Sequence, residues 1–488
     1  MGFILREIEE ERKFAQELTL DAIGRAVPVD QIKAVIWEEG AQETRERKFN
    51  MVVVVLVVIA MSLYTYFSIE HVIKRVAQGL GFIWPDPDYT VPGDNAFTYR
   101  RYQLNARPMA ALFHQVCRPI ATPQTPAAFH FGLRLMALDS TVEDVPDTPE
   151  NEAAFGRHHG ARGDGAFPQV RGVYLVECGP HTIVDAGVWP LHTSERVGGF
   201  RLLRSLQPGM LLLLWDCGFH DYDMFAQVLQ RQAHALGRFG AAVKPKLVCA
   251  LPDGSYLAYI YPSEYRRRQR GEHLLVRVIE YTIVDPGQPG YGEVHRLMTT
   301  LLDPEDYPAV DLACAYHERW EIETVIDEVD THQRLAGRPL RSRKPVGVIQ
   351  ELYGLVIAHY AVRFLMHEAA LQAGIDPDRL SFVEALRVIG DAIPEFQMVT
   401  PEQWPCLYAR LLRDIAAGRL PERRLRSNPR VVKRKMSNFR LKRSEHDHWP
   451  QPTMPFRKAV AIQKKQGECI YAIAIRSKVS MHEAEVLI

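Results

Sequence analysis

Between Met51 and Phe67 the chain reads MVVVVLVVIAMSLYTYF, 17 residues without a charge. Such a run can end up in two places, across a bilayer or inside a protein core. A spanning helix needs about 20 apolar residues, with a range of about 17–25. This run sits at the lower limit, contains Ser62, Tyr64 and Tyr66, and is flanked by Lys48, Glu70, His71 and Lys74. No second run of the kind accompanies it. A buried core helix is therefore expected, with a membrane-associated protein as the alternative.

The rest of residues 1 to about 125 also reads as helical. Helical patterns cover 15–26, 29–40, 50–67 and 69–79, and a Pro-rich loop at 84–92 leads into another at 95–105. The last pair resembles a helix-turn-helix, with Arg100 and Arg101 on the second helix as candidate DNA contacts. A surface helix with solvated arginines is the plainer reading of the same residues. No apolar segment follows the charged start closely enough to form a secretory signal.

From about residue 130 the pattern becomes α/β. Leu133–Leu138 is a short apolar run ending in Asp139, and a polar loop is expected over 140–164. Val170–Cys178 and His181–Val188 read as a hairpin. Met210–Trp215 is a buried strand run ending in Asp216, and 221–237 reads as a helix. Residues 246–300 hold four strand patterns, at 247–251, 256–261, 274–284 and 293–300, with turns at Pro252-Asp253-Gly254 and Asp285-Pro286-Gly287. Helices return after Pro304: a long one over 308–330, then 346–373, 381–396 and 404–418. Between Pro421 and Arg443 stand ten basic residues, among them Lys433, Arg434 and Lys435, against Glu422 alone. Such a block is a phosphate-binding segment or a disordered arm.

Charge balance narrows the partner. Lys+Arg and Asp+Glu are each 59, so nucleic-acid binding must be local rather than spread over the whole surface. The seven cysteines are scattered and form no CxxC pair. That speaks against a disulfide framework or zinc cluster and for a reducing, cytoplasmic setting. No P-loop, GxGxxG after a strand, GxSxG or HExxH is present.

Asp139 and Asp216 close two strand runs, and Glu323 lies in the long helix after the β-rich stretch. Acids at the carboxyl ends of strands point into the crevice where open α/β sheets place their sites. Two such acids and one from a crossing helix can hold two divalent cations about 4 Å apart, the arrangement for in-line phosphoryl transfer. Mg²⁺ suits hard oxygen ligands of this kind. Three acids among 59 form a weak signal alone.

The surrounding text strengthens it. Tyr316-His317-Glu318-Arg319-Trp320-Glu321-Ile322-Glu323 resembles the Y-x2-R-x3-E signature of insertion-sequence DDE transposases of the IS-four group. Leu138–Thr141 with Pro146–Asn151 is similar to the segment of that family carrying its first aspartate, and Leu214–Phe219 to that carrying its second. The resemblance extends over about 20–435. It implies an RNase-H-like mixed-sheet core at 126–420 interrupted by a β-rich insertion at 246–300. A helical DNA-end-binding domain at 1–125 and a basic tail at 421–488 complete the expected chain. It also implies Mg²⁺-dependent cleavage of transposon ends and transfer of the 3′-hydroxyl into target DNA, with Mn²⁺ tolerated. Asp139, Asp216 and Glu323 would be the catalytic and metal-holding acids. Partners would be double-stranded DNA, as terminal inverted repeats and target, and a second copy in a homodimeric synaptic complex, near the nucleoid and with no small-molecule substrate.

On one helix, Tyr316, Arg319 and Glu323 would share a face, placing Tyr316 and Arg319 beside a phosphate. Arg334, Arg343 and Lys344 belong to the basic stretch after the glutamate. Relatives stack an aromatic of the insertion against a flipped base. The candidates here are Tyr256, Tyr261, Tyr265, Tyr281 and Tyr291, with Arg266 and Arg267 beside Tyr265. Two positions depart from the family pattern. Asp330 stands where a lysine is usual, and Cys217 replaces the common arginine after the second aspartate. A catalytically decayed copy that only binds DNA is the alternative.

Overall fold

The computed structural model describes residues 19–43, 49–78, 93–160, 163–214, 221–240, 242–262, 271–334, 337–421, 431–432 and 440–464. Asp216, Cys217, Tyr265, Arg266, Arg267, Lys433, Arg434 and Lys435 lie outside them. The chain divides into two units. The first comprises 1–129, 138–205 and 321–420, and the second 130–137, 206–320 and 421–488.

In the first unit, helices α2 (Met51–Leu63), α4 (Asp94–Leu104) and α5 (Arg107–Val116) pack on α11 (Pro345–Ala373), the longest described helix, while α1 (Val29–Glu38) packs on α2 and α5 and α3 (Ile69–Val76) on α2 and α4. The uncharged run becomes α2, only 13 residues, capped by Asn50 and buried along almost its whole length. At about 1.5 Å per residue it spans roughly 20 Å, short of a hydrocarbon core about 30 Å thick. Its apolar side chains face protein on every side because α11 passes close by. A Cβ on Gly354 would lie 2.9 Å from both the Val58 side chain and the Val58 carbonyl oxygen. Among the described residues, α11 alone is long and apolar enough to cross a membrane, and its apolar window is 83% buried. Helices α12 (Phe382–Gln397) and α13 (Trp404–Ala417) complete the helical layer.

The same unit holds part of strand β2 (Leu133–Asp144), namely its residues 138–144. With it lie β3 (Arg157–Gly160), β4 (Gly163–Glu177) and β5 (Thr182–Pro190), the last two an antiparallel hairpin. The expected loop at 140–164 is therefore largely structured. Strand β2 runs five residues past Asp139, and α6 (Pro149–Phe155), capped by Thr148, follows it. Helix α7 (Glu195–Leu202) packs on β4 and β5.

The second unit takes residues 133–137 of β2, with β1 (Phe129–His130) alongside. Strands β6 (Met210–Leu214), β7 (His234–Arg238), β11 (Val294–Thr299), β10 (Leu274–Ile283), β9 (Tyr256–Ile260) and β8 (Lys246–Ala250) follow in spatial order. β6 and β7 are parallel, joined through α8 (Tyr222–Gln230). The sequence reading extended that helix to 237. Gln232 instead takes a positive φ of 57° and ends it, and His234–Arg238 becomes a strand. The β-rich stretch is legible almost residue for residue. Its strand β11 pairs with β7, so the insertion prolongs the core sheet.

Beyond the basic block, β12 (Val460–Ile462) pairs with β10, and Asp285 accepts from the backbone N–H of Thr453 and Met454.

Candidate active site

Along β2, side chains alternate, so Asp139, Thr141 and Glu143 share one face. Asp139 and Glu143 are buried. Thr141 Oγ1 donates to Asp330 Oδ2 at 2.7 Å, and Glu143 forms an ion pair with Arg334. Asp330 and Arg334 belong to the segment that carries Glu323. These two contacts tie the strand that carries Asp139 to the segment that follows Glu323. Asp216 follows β6 by two residues and is not described.

That segment is not the single helix expected. α9 (Ala309–His317) ends in a turn at Glu318 and Arg319, where N–H groups bond three residues back, and α10 (Trp320–Asp327) begins anew. A π-helical turn, Glu328–Gln333, follows. Tyr316, Arg319 and Glu323 therefore do not line one face of one helix. The break is filled by the Arg319 guanidinium, 4.9 Å from the Tyr316 ring centre and 5.3 Å from that of Trp320. Tyr316 is buried.

Within the first unit, α10 and the π-turn are held from both sides. Glu323 and Asp330 occupy one face. Glu321 and Glu328, two turns apart, occupy the other. Glu328 accepts from Arg363 and lies 3.1 Å from His359 Nε2. Burial alone would raise the Glu328 pKa, but Arg363 and His359 hold it down at about 2. His181 Nε2 meets Glu321 and lies 3.3 Å from Asp378. Among the described residues His181, Glu321 and Asp378 have metal-like spacing. However, Arg363 Nη2 donates to His181 Nδ1 at 2.7 Å. The hydrogen of the neutral ring is then on Nε2, facing Glu321, so this is a charge cluster and not a ligand set.

Asp330 is the unusual member of the front face. Burial raises its pKa to about 6, and among the described residues its Oδ1 is buried without a hydrogen-bond partner. The folded pKa exceeds the unfolded value of 3.8. Asp330 therefore favours folding most below about pH 4, and that contribution declines as pH rises through about 6. Asp330→Asn is expected to flatten this decline, read as urea midpoints at pH 5 and pH 8. Equal pH slopes in the two proteins would refute the assignment.

Other expected contacts divide by exposure. Arg100 and Arg101 are buried. Arg100 binds the Phe49 carbonyl and Glu43, and Arg101 binds Gln350 and the Gly347 carbonyl. They fasten α4 to its neighbours and are not available to DNA, because a desolvated guanidinium keeps the partners that satisfy it. Arg334 is tied to Glu143, whereas Arg343 and Lys344 are exposed.

In the second unit a cavity of about 80 Å³ is lined by Arg238, Tyr281, His295, Tyr316, Arg319 and Trp320, among others. Tyr281 stacks on His295 with ring centres 5.0 Å apart, and Phe456 stacks on His317 at 4.0 Å. Of the described tyrosines named as base-stacking candidates, only Tyr281 lines it. Tyr256 is buried against Glu280 and Tyr291 is exposed. Sequence reasoning missed Trp320 and Phe456, which adjoin the cavity from outside the insertion.

Comparison with known proteins now bears on this geometry. Residues 17–114 match the model of the insertion element 4 transposase N-terminal domain, and residues 130–361 match that of the transposase DDE domain. The chain belongs to the insertion-element DDE transposases. It is 26% identical over 453 residues to "Transposase InsG for insertion sequence element IS4" of Escherichia coli K12, covering 89% of this chain and 94% of that one. "Putative transposase InsZ" of the same organism is 27% identical over 138 residues, covering 28% of this chain and 46% of that protein. Among solved structures, a piggyBac transposase synaptic complex with hairpin DNA covers 81% of this chain and 85% of that one at 10% identity, with a TM-score of 0.43. This transposase is an enzyme of DNA cleavage and strand transfer, built on a mixed α/β core. Divalent-metal dependence and DNA binding come with the family.

Proposed function

We propose that Asp139, Asp216 and Glu323 hold the divalent cation, Mg²⁺ with Mn²⁺ tolerated, that cuts the ends of this element and joins them to target DNA. The observation that supports this is the pair of contacts, Thr141 with Asp330 and Glu143 with Arg334, that tie the strand bearing Asp139 to the segment following Glu323. Oxygen donors of this kind fit Mg²⁺. When bound, the ion would activate the attacking hydroxyl and stabilise the leaving oxygen. The protein's part is to fix two carboxylates against each other from a sheet and a clamped helix. Exposed Arg343 and Lys344 supply positive charge to the backbone of the terminal repeat. In this reading the active form is a homodimer at the nucleoid, and excision passes through a hairpin end.

The cavity of the second unit suits the extruded base. Base stacking on an aromatic is worth roughly 1–3 kcal/mol, and Trp320, Tyr281 and the guanidinium of Arg319 offer it flat faces. Trp320→Ala is expected to slow excision by about ten-fold while end binding falls less. Unchanged excision would remove the cavity from the mechanism.

The reading as a whole is tested on a duplex carrying the terminal repeat. Strand cleavage should require Mg²⁺ or Mn²⁺ and stop with a chelator. Tight end binding without cleavage under any divalent ion would favour a DNA-binding copy instead.

A further inference from the structure

A second cavity, in the first unit, has about 370 Å³ of space. The turn between α2 and α3 supplies Tyr66 and Phe67, which are 75% and 44% exposed. Arg334, Arg338 and Arg341 stand opposite. Two adjacent large aromatics left in water beside arginines form a contact surface for a flat, anionic group. The charges are unevenly spent. Arg334 is paired with Glu143, and Glu351 in the wall accepts from Ser342 Oγ and the Arg341 backbone N–H. Arg341 Nη2 donates to the Thr65 carbonyl at 2.7 Å, but its Nη1 is buried with no partner among the described residues. Arg338 is exposed. An anion with a flat apolar group attached would satisfy both halves of this cavity.

We propose that it holds one unstacked nucleotide of the bound DNA, the base on Tyr66 and Phe67 and the phosphate on Arg338 and Arg341. Position supports this. Arg334 in the wall pairs with Glu143, four residues from Asp139 on the same face of β2, or roughly 13 Å along the strand. That corresponds to about four steps of a duplex at 3.4 Å each. The placement relative to cleavage rests on the role proposed for Asp139; the occupancy by a nucleotide does not.

The test uses the full chain and terminal-repeat duplexes with single abasic sites scanned across the end and its flank. Tyr66→Ala/Phe67→Ala should weaken binding to intact DNA at least about five-fold. The loss should vanish on DNA abasic at one position near four nucleotides from the cut. Arg338→Ala, an exposed change, should lower the slope of log affinity against log salt by about one. Unaltered affinity and salt slope in these folded variants would overturn the inference. Absence of end binding by the unaltered protein would instead defeat the function proposed above.

Discussion

Glu323→Gln and Asp139→Asn are each expected to reduce end cleavage by roughly 10³-fold or more while leaving terminal-repeat affinity within about three-fold. The estimate follows from losing a charged ligand that contributes several kcal/mol at the transition state, at about 1.36 kcal/mol per factor of ten. Both replacements keep the shape of the side chain, so packing on β2 and α10 is retained. The control is nearby. Asp327, four residues after Glu323, is 59% exposed and 3.3 Å from His332. Asp327→Asn should cleave normally. If Asp327→Asn were inactive and Glu323→Gln active, the third acid would have been misassigned. Gel analysis of a labelled end in Mg²⁺ reads cleavage, and the same gel without metal reads binding.

The second large effect concerns stability. Arg363→Leu should cost about 3–5 kcal/mol, because it leaves Glu328 buried without its cation. Glu328 is held near a pKa of 2 largely by that arginine against burial. The double replacement Arg363→Leu/Glu328→Leu should recover most of the loss, since a buried ion pair is weak support compared with apolar groups of similar size. Urea unfolding of the two single variants and the double one gives the coupling directly. Additive losses would mean that the two side chains do not act as a pair. The recovered double variant should still cleave slowly, because the rear of α10 is no longer anchored by charge.

The sequence displayed some features and hid others for physical reasons. The insertion strands were legible because Pro252-Asp253-Gly254 and Asp285-Pro286-Gly287 punctuate them, and turn chemistry is local. The uncharged run was placed inside from its marginal length, its Ser and Tyr residues and the lack of a second such run. Arg100 and Arg101 were misread. Their pattern suits a DNA-facing helix, but the Arg101 partner Gln350 is 249 residues away, and no local signal marks it. The same holds for His181, joined to Glu321 across 140 residues. The break at Glu318–Arg319 was invisible because nothing in YHERWEIE opposes a continuous helix. It arises where Arg319 settles between Tyr316 and Trp320. Strand β7 was missed because a short His-Ala-Leu-Gly-Arg stretch fits either period.

Phe456 and the strand Val460–Ile462 give the second unit a particular history. That unit draws on residues 130–137 near its start and on the final described residues. At about 5–20 residues per second of synthesis, its aromatic cavity is finished only when the last part of the chain emerges. A chain cut short before residue 453 would carry both Asp139 and Glu323, yet would leave Tyr281–Ile283 at the end of β10 without their strand partner and the cavity with an open wall. Partial copies of such an element would therefore yield proteins with the acids in place and no finished seat for a base, and an exposed edge of that kind invites association with other chains.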